Sequence, residues 1–200
     1  MNLWHDIAPA RVRPEDFFAV IEIEKGSKNK YEMDKETGAL RLDRILYTST
    51  HYPANYGFIP RTWADDGDPL DVLVLCSECI RPLSLVECYP IGVISMEDSG
   101  SLDEKIIAIP FQDPTYNTYQ DISELPNHVA SEIRHFFRVY KGLPKYQPLI
   151  RYLSEEGIKQ ILLKVEAKYM ADNNKEMPKA VEMAYEYSQT DAADDYLLFP

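Results

Sequence analysis

Four carboxylates crowd into the seven residues Asp65-Asp66-Gly67-Asp68-Pro69-Leu70-Asp71, held by one glycine and one proline just ahead of an apolar run. Charges this close repel one another unless they splay into water or share a cation, and hard oxygen ligands select magnesium, manganese or calcium. A calcium EF-hand is excluded, because a loop of about twelve residues counted from Asp65, Asp66 or Asp68 ends on Cys76, Ser77 or Cys79, where a bidentate glutamate is required. On this segment alone a metal site and an acidic turn both stay open. A second acidic stretch, Glu97-Asp98-Ser99-Gly100-Ser101-Leu102-Asp103-Glu104-Lys105, has the composition of a hairpin loop. If both stretches open on one rim of a barrel, Asp66, Asp68, Asp71, Asp98 and Asp103 can hold two or more divalent ions that share a bridging water.

Ions held this way commonly serve phosphoryl chemistry, where they neutralise non-bridging oxygens and make the attacking water more acidic. Such a substrate also needs cations. Lys30, Arg44, Lys105 and Lys141 stand next to predicted strand or helix ends, and Tyr56 and Tyr140 offer hydroxyl donors. Charged neighbours recur beside them, as in Lys30-Tyr31-Glu32 and Asp43-Arg44. Taken singly each is also ordinary surface chemistry, and a lysine at a helix C-terminus is favourable electrostatics in its own right. Cys76-Ser77-Glu78-Cys79 has CxxC spacing, but it lacks a second pair and follows a strand, which sets zinc and redox chemistry aside. His128 and His135 lack the i, i+4 spacing of a metal pair and are expected to serve helix packing.

The elements that must position these groups are mostly strands. Residues 17–24 end in alternating Ile and Glu, and Tyr31-Glu32-Met33-Asp34 and the stretch 39–47 continue the alternation, with Gly38 where a tight turn wants positive φ. A three-stranded meander is expected to open the domain. Residues 52–71 hold Pro53, Gly57, Pro60, Gly67 and Pro69, too much punctuation for a helix interior, and read as ordered loop with a short strand. The run from Asp71 to Cys76 suits a strand buried on both faces, and 86–96 and 105–111 supply two more strands around a loop at 97–104. Helical spacing begins later. Positions 129, 133, 136, 137 and 140 follow the helical period, and 154–170 repeats it behind a plausible Ser154 N-cap.

The whole chain has 200 residues, 45% apolar and 27% charged, which is ordinary for a single globular domain able to enclose one core. Its 21 Lys and Arg against 33 Asp and Glu leave a net charge of −12, so long-range steering repels nucleic acid and anionic membranes. No apolar run approaches the roughly 18 to 20 residues that span a bilayer. The opening residues show no basic and apolar signal pattern, and three cysteines fit free thiols in a reducing compartment, so a cytoplasmic location is expected. Residues 171–200 turn acidic and close on Tyr196-Leu197-Leu198-Phe199-Pro200, which divides the chain into a body of residues 1–170 and a C-terminal extension.

Five blocks now occur in order: Tyr31 to Leu40, Asp43-Arg44, Tyr52-Pro53-Ala54-Asn55-Tyr56-Gly57, Asp66 to Asp71, and His135-Phe136-Phe137 running to Tyr140-Lys141. Over residues 17–141 the chain resembles a family I soluble inorganic pyrophosphatase. The resemblance implies an α+β, mainly β fold, a five-stranded OB-like closed barrel with outer helices. It implies hydrolysis of pyrophosphate to two orthophosphates by direct attack of a metal-activated water, with several Mg2+ ions and Mn2+ as a possible substitute. Asp66 and Asp71 would hold activating metals, Asp71 bridging two, and Asp98, Asp103, Glu22 and Glu32 would complete the metal set. Asp68 would be the general base, acting with Tyr56, Arg44 and Lys30. Lys30, Arg44, Tyr56, Lys105, Tyr140 and Lys141 would grip phosphate oxygens, with Asp43 supporting the arginine. A homo-oligomer, hexameric in bacterial relatives, is implied, with no nucleic-acid or membrane partner. After Lys141 the chain departs from the Lys- and Trp-containing stretch usual in the family. A magnesium-dependent nucleotide pyrophosphohydrolase and a non-catalytic OB-type binding module are the alternatives.

Overall fold

The computed structural model describes residues 2–98, 101–140 and 155–172. Strands β1 (Phe17–Ile23), β4 (Asn55–Phe58), β5 (Asp71–Val74), β7 (Ser101–Pro110) and β6 (Leu85–Asp98) hydrogen-bond in that order and close into a five-stranded barrel. Every contact in the ring is antiparallel except β5 with β7, whose parallel register sets Asp71 beside Lys105. Closure also explains Gly57. It lies opposite Ile21 on β1, and a Cβ there would stand 1.8 Å from the Val20 carbonyl oxygen, so the strands meet only because that position has no side chain.

The expected meander does not form. β1 already has β4 on one edge and β6 on the other, which leaves no edge for the next strand. β2 (Asn29–Met33) and β3 (Leu40–Ile45) therefore pair with each other as a separate two-stranded ribbon. Its turn is built as its composition suggests: Gly38 has φ +71°, and the Asp34 carboxylate accepts from the Thr37 amide at 2.8 Å and hydroxyl at 2.7 Å.

Alternation along the barrel strands separates two apolar clusters. Leu73, Ile107 and Ile109 share one with Ile133, Phe136, Phe137 and Tyr140 of helix α1 (Asn127–Val139) and its C-cap. Val72, Val74, Ile106 and Ala108 share the other with Ile158, Ile161, Leu162 and Val165 of α2 (Glu155–Asp172). Since Asp71 and Lys105 have the same strand parity as Leu73 and Ile107, they fall on the α1 side of the sheet. Both helices match the spacing read from sequence, whereas Ser154 lies outside the described residues, as does the extension from residue 173 onward. The two histidines of α1 do not pack. His128 and His135 are both exposed, on the face turned away from Ala130, Ile133 and Phe137, and His128 instead approaches Glu132 at 3.7 Å.

Candidate active site

The motif Asp66-Gly67-Asp68-Pro69-Leu70-Asp71 forms a turn that feeds directly into β5. Gly67 supplies the turn with φ +84°, the Ala64 amide donates to the Asp68 carbonyl at 2.7 Å, and the Asp68 amide donates to the Asp66 carboxylate at 3.0 Å. Asp71, the first residue of β5, is thereby aimed at Lys105 in the neighbouring strand. The Lys105 ammonium donates to Asp71 at 2.6 Å and to Asp103 at 2.8 Å, and Tyr56 donates its hydroxyl to the same Asp71 oxygen. Lys105 sits 5.7 Å from the ring centroids of both Tyr56 and Phe137, so aromatic faces and carboxylates enclose it together.

Across the cavity the β2–β3 ribbon supplies the other cations. Register places Lys30 opposite Arg44, and Asp43 separates the two like charges, accepting from Lys30 at 3.1 Å and from Arg44 at 3.2 Å. Lys30 also pairs with Glu32, which Arg41 approaches at 3.3 Å. Glu22 on β1 is buried with its carboxylate accepting the Met33 amide at 2.6 Å. Tyr140 caps α1 and stacks on Phe136 at 5.1 Å, and Phe136 meets Tyr52 at 4.8 Å, itself 5.4 Å from Tyr56. This aromatic column ties α1 to the site.

One cavity of about 930 Å³ gathers Glu22, Lys30, Glu32, Arg44, Tyr56, Asp66, Asp68, Asp71, Asp103, Lys105 and Tyr140. Of the site residues read from sequence, Lys141 and the side chain of Asp98 lie outside the described residues. Two placements differ from expectation. Asp103 lies within β7 opposite Met96, because the β6–β7 hairpin continues as strand to Asp98 and resumes at Ser101. Lys105 is a mid-strand residue only 2% exposed, not a group at an element end.

Eight acids and five lysines or arginines line the cavity, so its formal charge is negative. Among the described residues no three acidic, histidine or cysteine side chains converge into a ready-made cage. The carboxylates instead lean on ammonium groups, Asp71 and Asp103 on Lys105 and Asp68 on Lys35. Burial raises the Asp103 carboxyl above its ordinary value; Lys105 pulls it down, and the charges of Asp71 and Asp66 push it up again. Crowded hard oxygen donors in a cavity with surplus negative charge fit divalent cations, and Asp66, Asp71 and Asp103 are the residues that would hold them.

The family model for inorganic pyrophosphatase matches residues 19–170 of this sequence. The chain belongs to the inorganic pyrophosphatase family. The inorganic pyrophosphatase of Aquifex pyrophilus is 48% identical over 142 residues, 70% of this chain and 80% of that relative. Soluble inorganic pyrophosphatase 2 of Chlamydomonas reinhardtii is 51% identical over 138 residues, 69% of this chain and 72% of the relative. Among solved structures, the inorganic pyrophosphatase of Helicobacter pylori superposes with a TM-score of 0.73 at 42% identity, covering 78% of this chain and 95% of that one. The family match extends to residue 170, well past the last motif at Tyr140-Lys141, and covers all but the last two residues of α2. It also sets aside the nucleotide pyrophosphohydrolase and binding-module alternatives.

Three further pyrophosphatase-cavity residues escape sequence reasoning. Lys35 in the ribbon turn pairs with Asp68, Arg41 pairs with Glu32, and Trp4 lines the wall with Lys35 5.6 Å above its ring. Lys35 reads as turn chemistry in Asp34-Lys35-Glu36-Thr37-Gly38, and nothing in its spacing points toward a partner 33 residues away.

Glu22 carries a pH prediction for the metal-free protein. Burial is the main cause that raises its carboxyl to about 8, opposed by the Met33 amide. Between the unfolded value near 4.5 and about 8 the folded state therefore holds a proton that the unfolded chain has lost. Stability must fall as pH rises through that window. Thermal melts in EDTA at several pH values should show this slope, and Glu22→Gln should flatten it; an unchanged slope in the variant would place the proton elsewhere.

Proposed function

We propose that this chain hydrolyses inorganic pyrophosphate to two orthophosphates, using magnesium ions for which manganese can substitute. The observation that carries the reading is the facing of the Asp66–Asp71 turn and the Lys30 and Arg44 ribbon across one cavity. Asp66, Asp71 and Asp103, with Asp98, would hold the ions, and Glu22 and Glu32 would complete the acidic set around them. The bound ions offset the substrate's negative charge and make the attacking water more acidic.

Asp68, an exposed carboxylate on the cavity wall, is the general base. It takes a proton from the water as the water oxygen bonds to one phosphorus, and the bond from that phosphorus to the bridging oxygen breaks, releasing the second phosphate. Lys30, Arg44, Tyr56, Tyr140 and Lys141 bind non-bridging oxygens and stabilise the charge that develops on the leaving group. Lys105 would join them wherever its ammonium is released from Asp71 and Asp103, to which it donates in this structure.

A location in the cytoplasm belongs to the same reading, supported by the free Cys76, Cys79 and Cys88. Among the described residues no helix is long and apolar enough to cross a membrane. Assembly as a homo-oligomer, a hexamer in the first instance, is part of the proposal and is checked by sedimentation.

Binding of a non-hydrolysable methylene bisphosphonate in magnesium tests the assignment of the cations. Lys30→Ala and Arg44→Ala should each weaken it by roughly 10- to 100-fold, the worth of one charge-assisted hydrogen bond. ATP added as competitor should displace little of it; strong displacement by ATP with no effect of either variant would favour a nucleotide site.

A further inference from the structure

Helix α2 contributes no residue to the cavity lining, yet it grips the turn that carries the metal-binding carboxylates. Lys168 donates to the Ala64 carbonyl at 3.0 Å and to the Asp65 carboxylate at 3.1 Å. Lys164, one helical turn earlier, stands 3.7 Å from the other Asp65 oxygen. The Trp63 amide donates to the Val165 carbonyl at 3.1 Å, so backbone and side chains of α2 meet three consecutive residues just before Asp66. Ala64 is the pivot of that turn: its carbonyl also accepts the Gly67 amide at 3.2 Å, and its amide holds the Asp68 carbonyl. The helix is a firm base, because Val165, Tyr169 and Met170 are each 5% exposed or less.

We infer that Lys164 and Lys168 are positioning residues for the Asp66–Asp71 turn, setting its carboxylates in the arrangement that binds divalent ions. The inference rests on the proposed function and extends it to residues outside every motif that signals the family. Lys168 fixes where the turn begins, and Asp65, held between two ammonium groups, cannot swing toward the ions and compete with Asp66. Outer partners of metal ligands commonly change metal affinity about tenfold or more when removed.

Positioning and simple electrostatics predict opposite signs. Deleting two positive charges beside a cation site should tighten metal binding if charge alone matters. If the lysines position the turn, binding should weaken despite the more negative surroundings. The experiment is calorimetric titration of magnesium into metal-free wild type, Lys164→Gln/Lys168→Gln and Lys168→Arg, with melting temperatures and pyrophosphate hydrolysis measured in parallel. The expected result is about tenfold weaker magnesium binding in the double variant. Near-wild-type binding in Lys168→Arg is expected, with a normal melting temperature in both. A wild-type protein that binds magnesium and releases phosphate, beside a double variant that binds equally or more tightly, overturns the inference alone. Loss of binding that tracks loss of melting temperature in both variants assigns α2 a merely structural role and overturns it as well. A folded wild type that neither binds magnesium nor releases phosphate overturns the proposed function together with the inference.

Discussion

Asp68→Asn should lower the turnover of pyrophosphate by about 10³-fold while leaving the protein folded, because the loss falls on proton transfer, which a positioned base typically speeds by 10²- to 10⁴-fold. The side chain is half exposed and pairs with Lys35, while the Asp68 amide donates to the Asp66 carboxylate and its carbonyl accepts the Ala64 amide. An exposed ion pair contributes about 0–1 kcal/mol, which in a domain of this size moves the melting temperature by at most a few degrees. Asparagine keeps the shape and the turn but cannot take the proton. The loss should therefore appear in kcat, with KM for pyrophosphate close to wild type. A variant that keeps more than about a tenth of wild-type kcat would move the base to another carboxylate, Asp66 first.

Lys105→Met should produce the largest change in stability, and magnesium should partly repair it. Lys105 is the ammonium between Asp71 and Asp103, with 3% of its side chain exposed against 28% and 14% for the two carboxylates. Burial works against its charge, and the Asp71 and Asp103 charges overcome that and hold it protonated well above its ordinary range. Removing one partner of a buried ion pair costs about 3–5 kcal/mol, and the part-exposure of Asp71 brings the expectation to roughly 2–3 kcal/mol. Melts in EDTA should fall by roughly 5–10 °C. Divalent ions supply the missing positive charge, so magnesium should raise the variant's melting temperature more than the wild type's. Equal shifts in both proteins would mean that Asp71 and Asp103 are not where the ions bind.

These two residues also mark how far the chain could be read without its structure. Asp66, Asp68 and Asp71 are close in sequence, so their crowding and its implication of cations were legible directly. The helices are legible too, since Ile133, Phe136, Phe137 and Tyr140 declare a face by spacing alone; His135 lies across the helix from Ile133 and Phe137, and its exposure is a matter of that phase. The sequence marks Lys105 as a useful cation but suggests a strand end for it. Its burial follows from the parallel register of β5 and β7, fixed only when the barrel closes, and no local pattern encodes that. The separation of the β2–β3 ribbon has the same origin, because β1 has both edges filled by strands distant in sequence. Lys35 reaches Asp68, and the α2 lysines reach Ala64 and Asp65, through contacts between segments whose local sequence reads as turn or solvated helix.

The central claim is that the cavity hydrolyses pyrophosphate and depends on divalent ions to do so. Phosphate release from pyrophosphate by the purified chain, assayed with magnesium and again with EDTA in its place, tests it most directly. Rapid release in magnesium that EDTA abolishes and restored magnesium recovers is the predicted result. A folded protein that releases no phosphate from pyrophosphate in magnesium or manganese, or that releases it equally well in EDTA, would contradict the account.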